Sequence, residues 1–311
     1  MPFGSVRFFK NLIIGTISLI LLLISVLIFN SFHYILYSTG TENPDKSALS
    51  PSVKERSFEN LSNSYEIGME TTTNNGTRVV VSDIKKPYQL LFPDLYGNES
   101  SEAIIQNKTV YLTFDDGPSQ QTLDILKILS ENNVKATFFV IGKTDETSRT
   151  IMKQIVDEGH TIGVHSYTHN YEKIYTSVDA YLDDFNNMNN LIYEATGIHP
   201  SIFRFPGGSI NSYNDGTYKD IIEEMSRRGF TYYDWNVSSL DTLSDATVAS
   251  INSNVVDEVS KHSRSIVLFH DSDGKIQTVN SLDGIIKDLK DYGYTVDSLT
   301  NKIKPIIFKH K

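Results

Sequence analysis

The chain of 311 residues has 28 Lys and Arg against 38 Asp and Glu, which gives a formal net charge of −10 at pH 7. A chain this acidic is poorly suited to binding a phosphate backbone, so no nucleic-acid partner is expected. Its length allows one sizeable domain with additional segments, and the absence of cysteine excludes both a disulfide framework and thiolate metal ligands.

An apolar run near the N-terminus covers residues 12–29 almost without interruption. It meets the roughly 20 residues that a helix needs to span a bilayer. Arg7 and Lys10 precede the run, so the positive-inside rule predicts a cytoplasmic segment 1–11, a transmembrane signal anchor at 12–37 and an extracytoplasmic remainder. A single-pass protein of the cell membrane is therefore expected. The alternative is a cleaved signal peptide, for which the run is long and a small-x-small cleavage site is missing.

Two segments of different composition follow the apolar run. Residues 38–87 are rich in Ser, Thr, Asn and Glu and are predicted to form a polar spacer, with a candidate short strand at 78–83. Residues 88–106 are too apolar for a free linker. We expect them to pack on the domain that follows, with a place in the substrate groove as the alternative.

Strand-like and helix-like patterns alternate from residue 107 to residue 300, as in repeated β-α units around a parallel sheet. The predicted strands cover residues 109–112, 134–141, 202–205, 231–235, 265–269 and 294–296, with a further strand leading to His165. The predicted helices cover residues 122–129, 147–158, 177–195, 218–228, 247–262 and 279–291. This alternation favours a barrel with helices outside. Residues 301–311 follow it and form a basic tail.

Polar residues follow four of these strands, at the end of a parallel sheet where α/β proteins form their sites. Asp115-Asp116-Gly117-Pro118 taken alone is more often a turn than a site. A second strand end, however, carries two histidines four residues apart. One carboxylate with two imidazoles gives the three-ligand set with an open position that is typical of catalytic zinc. The four strand ends carry Asp115-Asp116, His165-x-x-x-His169, Arg204-x-Pro206 and Leu268-x-His270.

These four motifs, in this order and with Thr-Phe-Asp-Asp-Gly-Pro at 113–118, resemble those of the polysaccharide deacetylases, also called carbohydrate esterase family 4 or the NodB-homology family. The resemblance extends over roughly residues 107–300. It implies an irregular (β/α) barrel with fewer than eight regular units. It also implies a hydrolase that removes N-acetyl groups from N-acetylhexosamines of a cell-envelope polysaccharide and releases acetate. Peptidoglycan is the expected substrate, with a chitin-type glycan or poly-N-acetylglucosamine as alternatives.

Hydrolysis of an amide needs an activated water, a polarised carbonyl group and an acid for the departing nitrogen. Asp116, His165 and His169 are the expected ligands of a divalent metal, with zinc expected and cobalt or nickel as alternatives. Asp115 is the candidate general base and His270 the candidate general acid. The resemblance implies the same assignments.

Arg204 is the third candidate catalytic residue. The resemblance implies that it holds the base through an ion pair and is itself held by a second acid. The family pattern places that acid at Ser238 and a Trp at Thr242, and both are missing here. Either Asp234 or Asp241 replaces the acid, or Arg204 contacts the base without a third partner.

A group of candidate substrate residues surrounds these motifs. Gly207 stands where many family members carry Tyr, so its backbone N–H remains available to an oxyanion but the ring is lost. The other candidates are Pro206, Tyr167, Trp235 and Leu268.

Two alternatives to the deacetylase differ in kind. One is a membrane-tethered, non-catalytic module that binds glycan or organises the wall, and it predicts the loss of a ligand or of the base. The other is a metal-dependent hydrolase of a different bond, such as an O-acetyl ester or a cyclic amide. Every candidate ligand and the base are present, which favours an enzyme.

Overall fold

The computed structural model describes residues 70–72, 78–80, 86–100 and 102–309. These residues fall within Glu66–Lys311, one of two units into which the chain divides. The predicted cytoplasmic segment and signal anchor at 1–37 lie outside the described residues. Within the described part, no helix combines the length and apolar character needed to cross a bilayer.

Part of the predicted polar spacer has regular structure. Strand β1 (Glu70–Thr72) pairs antiparallel with β2 (Arg78–Val80), so that Thr71 lies opposite Val79. The candidate strand at 78–83 is therefore present in its first three residues. The rest of this predicted strand lies outside the described residues.

The main sheet has eight strands, and all their pairings are parallel. Their spatial order is β7-β6-β5-β4-β3-β9-β8, with β10 beside the first half of β3. The strands are β3 (Thr109–Asp115), β4 (Thr137–Ile141), β5 (Thr161–Ser166), β6 (Ile202–Phe203), β7 (Thr231–Tyr232), β8 (Val237–Ser238), β9 (Arg264–His270) and β10 (Thr295–Asp297).

Helices alternate with these strands, as the sequence predicts. All six predicted helices are present, and the largest shifts in their ends are three residues. A four-residue helix at 171–174 and strand β8 were not predicted, because neither is long enough to display a hydrophobic period. The helices are α1 (Gln120–Glu131), α2 (Glu146–Asp157), α3 (Tyr171–Ile174), α4 (Val178–Thr196), α5 (Tyr218–Arg227), α6 (Val248–Val259) and α7 (Ile276–Asp291).

The sheet curls into an incomplete barrel. Strands β7 and β8 lie at opposite ends of the strand order, yet only residues 233–236 connect them. The five steps from Tyr232 to Val237 can span no more than about 18 Å. Along this link, Tyr233 N–H still donates to Phe203 at one edge, and Asn236 N–H already donates to Ile266 at the other. The two edges therefore face each other, which agrees with the predicted irregular barrel.

Residues alternate between the two faces of each strand and so divide the core in two. On β3, Val110, Leu112 and Phe114 pack against the outer helices, whereas Tyr111 belongs to a smaller apolar cluster inside the barrel. Gly163 lies in this interior, where a Cβ atom would approach the Phe139 ring to 2.7 Å. The other members of the interior cluster are Phe139, Ile202, Tyr233, Ile266, Leu299 and Ile303.

The segment predicted to pack on the barrel is fastened by one buried arginine at the end of α5. The Arg228 guanidinium donates to the carbonyl groups of Leu91, Phe92 and Leu95 at 2.7, 2.8 and 3.2 Å and to Glu224 Oε1 at 2.7 Å. Leu95 is itself buried. Arg228 therefore ties the 88–106 segment to α5, outside the barrel.

The predicted basic tail also lies against the barrel. Ile303 is buried, and the carbonyl oxygen of Ile306 accepts a hydrogen bond of 2.9 Å from Asp234 N–H. Phe308 N–H donates to the Asp234 carboxylate at 2.7 Å. The lysines at 302, 304 and 309 remain exposed, so the tail is basic only on its outer side.

We predict that Arg228→Met lowers the free energy of unfolding by about 3–5 kcal/mol, because it removes one partner of the buried Arg228–Glu224 pair and the donor to three carbonyl oxygens. Urea denaturation measures this change. Lys153→Met is the matched control, since Lys153 forms an exposed pair with Asp157 worth about 0.3–0.5 kcal/mol. Equal effects of the two substitutions would contradict the tethering role of Arg228.

Candidate active site

The carboxyl ends of β3, β5, β6 and β9 meet at one end of the barrel. Asp115 and His270 are directly opposite each other in the parallel pairing of β3 with β9. Arg204 N–H donates to the carbonyl oxygen of Val164 at 3.0 Å, directly before His165. The sheet register therefore brings the four predicted motifs together.

Asp116, His165 and His169 form a cluster whose ligand atoms all lie within 4.8 Å of one another. Asp116 Oδ1 is 3.5 Å from His165 Nε2 and 3.2 Å from His169 Nε2. Ligand atoms around a tetrahedral ion with bonds of about 2.0–2.1 Å lie about 3.3–3.4 Å apart. The spacing of the three side chains therefore fits one divalent ion.

The chemistry of these donors also fits a metal. His165 Nδ1–H donates to the Arg204 carbonyl oxygen at 2.9 Å, which leaves the lone pair on Nε2, the atom that faces Asp116. Burial and the neighbouring His165 lower the pKa of His169, which favours the neutral imidazole that metals require. Asp116 Oδ1 is buried and has no hydrogen-bond partner among the described residues. A buried carboxylate oxygen without a donor is a natural position for a cation.

The turn that carries the two histidines is held by Asp184 of α4, which the sequence did not identify. Its carboxylate accepts hydrogen bonds of 2.6–2.8 Å from the hydroxyl groups of Ser166 and Thr168 and from the N–H groups of Tyr167 and Thr168. Ser166 Oγ in turn accepts from His169 N–H at 2.8 Å. Four charge-assisted bonds therefore fix this turn, in which His169 has a left-handed φ of 51°.

Arg204 fills the centre of the barrel and has no exposed surface. Its Nη1 donates to Asp115 Oδ1 at 2.9 Å and to Thr113 Oγ1 at 2.7 Å. Its Nε and Nη2 donate to the carbonyl oxygens of Tyr233 and Asp234 at 2.9 and 3.2 Å. The guanidinium therefore connects β3 with the link that joins the two edges of the sheet.

Among the described residues, Asp115 is the one acidic side chain that pairs with Arg204, so the acid missing at Ser238 has no substitute there. The Asp234 carboxylate instead accepts from the N–H and hydroxyl groups of Ser209 at 2.8 and 2.5 Å. Asp241 lies instead beside His270. Arg204 therefore contacts the base without a second acid, which is the last of the three arrangements expected from the sequence. The carbonyl oxygens of Tyr233 and Asp234 accept the hydrogen bonds that a second acid would have accepted.

Asp241 is the partner of His270. Its Oδ1 lies 2.8 Å from His270 Nδ1, and its Oδ2 accepts from His270 N–H at 2.7 Å and from Thr278 Oγ1 at 2.8 Å. Burial alone would lower the pKa of His270. The hydrogen bond and charge of Asp241, with smaller contributions from Asp115 and Asp116, outweigh burial and raise the pKa of His270 above its ordinary value. Asp241 therefore favours the protonated imidazolium.

Asp271 lies behind the loop that carries the two adjacent acids. Its N–H donates to the Asp115 carbonyl oxygen at 3.0 Å, and its Oδ2 accepts from Thr122 Oγ1 at 2.5 Å. Its carbonyl oxygen accepts from Ser119 Oγ at 2.5 Å. Complete burial, with the charges of Asp116 and Asp115, raises the pKa of Asp271 to about 7. Asp271 therefore packs against the loop that carries Asp115 and Asp116.

Two hydrogen bonds hold the predicted oxyanion loop at Pro206. The Pro206 carbonyl oxygen accepts from Tyr175 Oη at 2.8 Å and from Asn211 Nδ2 at 3.2 Å. Gly207 has a left-handed φ of 77°, which favours glycine over the tyrosine of the family pattern. No described residue accepts a hydrogen bond from Gly207 N–H.

The other predicted substrate residues differ in their surroundings. The Tyr167 ring lies against Gly142 and packs on the outer core. The Trp235 ring packs edge-on against Phe308, with the centroids 4.9 Å apart. Leu268 is 8% exposed and lies two residues before the histidine of its motif, on the same face of β9.

Comparison with known proteins identifies the family. The family profile described as polysaccharide deacetylase matches residues 104–233. A peptidoglycan-N-acetylglucosamine deacetylase from Bacillus cereus is 34% identical over 211 residues, a match that covers 66% of this chain and 74% of the relative. The chain belongs to the polysaccharide deacetylase family. The predicted family and the predicted class of enzyme, a polysaccharide deacetylase, are confirmed.

Solved structures of this deacetylase family share the fold. The catalytic domain of a peptidoglycan N-acetylglucosamine deacetylase from Eubacterium rectale has 36% identity and a TM-score of 0.64, and the match covers 68% of this chain and 97% of that one. A family pseudoenzyme from Bacillus anthracis has 28% identity and a TM-score of 0.54, with 66% of this chain and 69% of that one covered. The same fold therefore occurs in a protein described as a pseudoenzyme.

We predict that Asp241→Asn lowers the pKa of His270, because the substitution removes the charge that raises it and leaves the effect of burial. An NMR titration of the His270 imidazole measures the shift. Asp257→Asn, on the exposed side of α6, is the control and should leave the value unchanged. An unchanged pKa in Asp241→Asn would contradict the pairing.

Proposed function

We propose that this protein is a metal-dependent deacetylase that hydrolyses the acetamido group of N-acetylglucosamine in peptidoglycan. The observation that carries this function is the separation of two adjacent acids. Asp116 faces the two histidines, whereas Asp115 is held by Arg204 beside His270. One acid is thus available to a metal and the other to a water molecule.

Asp116, His165 and His169 would hold the divalent ion, for which zinc is the expected species and cobalt or nickel the alternatives. When bound, the ion would supply Lewis acidity that polarises the acetyl carbonyl group and lowers the pKa of a water molecule. Asp115 lies close to this cluster, since its Oδ2 is 3.9 Å from His165 Nε2.

The residues around the cluster divide the hydrolysis into two proton transfers. Asp115 accepts a proton from the attacking water, whose oxygen forms a bond with the carbonyl carbon. Gly207 N–H donates to the oxyanion that develops. The C–N bond then breaks as His270 gives its proton to the departing nitrogen, which leaves an amine on the sugar and releases acetate. A raised pKa keeps His270 protonated for this step.

The two proton carriers are fixed by different anchors. Arg204 holds Asp115 from inside the barrel, and Asp241 holds His270 from the adjacent strand end. Neither anchor contacts the other carrier through a described hydrogen bond. Base and acid therefore each have their own side-chain anchor, although their strands are paired directly.

Peptidoglycan as the substrate is supported by the relatives from Bacillus cereus and Eubacterium rectale, whose names specify this glycan and this sugar. A chitin-type glycan and poly-N-acetylglucosamine contain the same acetamido group and are the alternatives. Against the non-catalytic alternative stands the complete set of Asp115, Asp116, His165, His169 and His270.

The proposed location follows from the sequence outside the described residues. An anchor at 12–37, with Arg7 and Lys10 on its cytoplasmic side, would place this deacetylase on the outer face of the membrane. Protease added to intact protoplasts is expected to digest the catalytic domain. A domain that survives until the membrane is permeabilised would refute this topology.

Acetate release by the purified protein tests the function. We expect release from peptidoglycan and from N-acetylated chitin oligomers, loss of release after chelation, and recovery with zinc. Preferential release from O-acetylated xylan would favour the esterase alternative, and no release from any substrate would favour the non-catalytic one.

Replacing each of the two adjacent acids by Asn should have different effects. Asp116→Asn should lower zinc content, because an amide oxygen is a poorer ligand than a carboxylate. Asp115→Asn should retain zinc and reduce turnover by the roughly 10²–10⁴-fold typical of a general base. Metal analysis and acetate release measure both effects, with Asp257→Asn as the control. Equal zinc loss in the two variants would contradict the assignment.

A further inference from the structure

A row of tyrosines begins next to the metal cluster and ends in solvent. The Tyr171 ring packs edge-on against the His169 imidazole, with the centroids 5.3 Å apart. The Tyr171 ring also packs against Tyr213 at 5.2 Å and against Tyr175 at 6.1 Å. Tyr213 is 54% exposed, whereas Tyr175 is buried. The row therefore runs outward from His169 through Tyr171 to Tyr213.

Gly207 makes room for this row. A Cβ atom at position 207 would lie 2.8 Å from Tyr171 Cε1, closer than side chains approach one another. The left-handed φ of 77° at this position also disfavours any larger residue. The Tyr171 ring thus occupies the space beside the oxyanion loop that a side chain at position 207 would enter.

The three tyrosine hydroxyl groups have different environments. Tyr175 Oη donates to the Pro206 carbonyl oxygen, so this tyrosine serves the loop. No described residue forms a side-chain hydrogen bond with the hydroxyl of Tyr171 or Tyr213. These two hydroxyl groups are free to bond to a ligand, and the Tyr213 ring packs against Tyr171 while remaining 54% exposed.

We infer that Tyr171 and Tyr213 form a platform for the sugar residue that adjoins the deacetylated one in the glycan chain. The inference rests on the proposed function. The acetamido group must reach the metal cluster, so the adjoining pyranose passes over residues next to a ligand, and Tyr171 lies against His169. A pyranose ring offers an apolar C–H face to an aromatic ring and hydroxyl groups to a phenol.

The platform determines which glycan binds more than how fast the bond breaks. It touches neither Asp115 nor His270 through any described hydrogen bond or ring contact. It would therefore act on the binding of oligomers that extend beyond one sugar. Tyr213 is the informative position, because Tyr171 also packs against a metal ligand and its replacement would disturb the cluster.

Binding of tetra-N-acetylchitotetraose to the zinc-loaded full chain, measured by calorimetry in the Asp115→Asn background, tests the platform. We expect Tyr213→Ala to weaken binding by about 3- to 10-fold, as for the loss of one aromatic contact. Tyr213→Phe should retain most of the affinity. In the chain with Asp115 intact, Tyr213→Ala should raise KM for the tetramer more than it lowers kcat.

Tyr292→Ala is the matched control, since Tyr292 is 61% exposed and its carbonyl oxygen contacts Lys108, which precedes the opposite end of β3. Equal affinity in Tyr213→Ala and Tyr292→Ala, or no binding of the tetramer by the parent chain, would overturn the platform. If Tyr213→Ala leaves the affinity unchanged and the chain with Asp115 intact still releases acetate, the platform fails and the proposed function stands. Tyr213-dependent binding without acetate release from any glycan would instead support the platform and overturn the proposed function.

Discussion

One buried guanidinium sets the arrangement of this barrel and its site. Arg204 has no exposed surface, and its donors reach Thr113 and Asp115 on β3 and two carbonyl groups on the link between β7 and β8. The guanidinium carbon also lies over two aromatic rings, 4.5 Å from the Phe139 centroid and 5.6 Å from the Trp235 centroid. A buried charge left without its partner costs about 3–5 kcal/mol. The position of the Asp115 carboxylate is therefore coupled to closure of the barrel.

The separation of the two acids depends on the backbone at one residue. Side chains alternate along β3, so Asp115 points into the barrel beside Arg204. Asp116 leaves the strand with a φ of 73°, a left-handed conformation that Asp tolerates better than most residues. This change of direction aims the second carboxylate at His165 and His169 instead of at the outer helices. Two neighbouring acids can thus serve different partners.

Much of this arrangement could be predicted because it follows from local patterns. The alternation of helices and strands, and the motifs at four strand ends, place the candidate ligands and carriers at one end of the sheet. The partners of those residues could not be predicted in the same way, because they come from elements distant in the chain. Asp241 was considered only as a partner of Arg204, whereas packing places it on His270.

Asp184 did leave a signal in the sequence. It lies three residues after Tyr181 and four before Met188, and both are buried on the inner face of α4. A carboxylate on an apolar helix face needs donors, and the turn after β5 supplies four. Tyr171 left no comparable signal, since a four-residue helix has no period and the ring matters only through its contact with His169.

Anomalous diffraction from crystals of the zinc-loaded protein would test the separation of the two acids most directly. We predict one zinc ion at about 2.0–2.2 Å from Asp116, His165 Nε2 and His169 Nε2. In the same crystals, Asp115 would remain paired with Arg204 and would not bind the ion. Zinc coordinated by Asp115, or zinc bound away from the two histidines, would contradict this account.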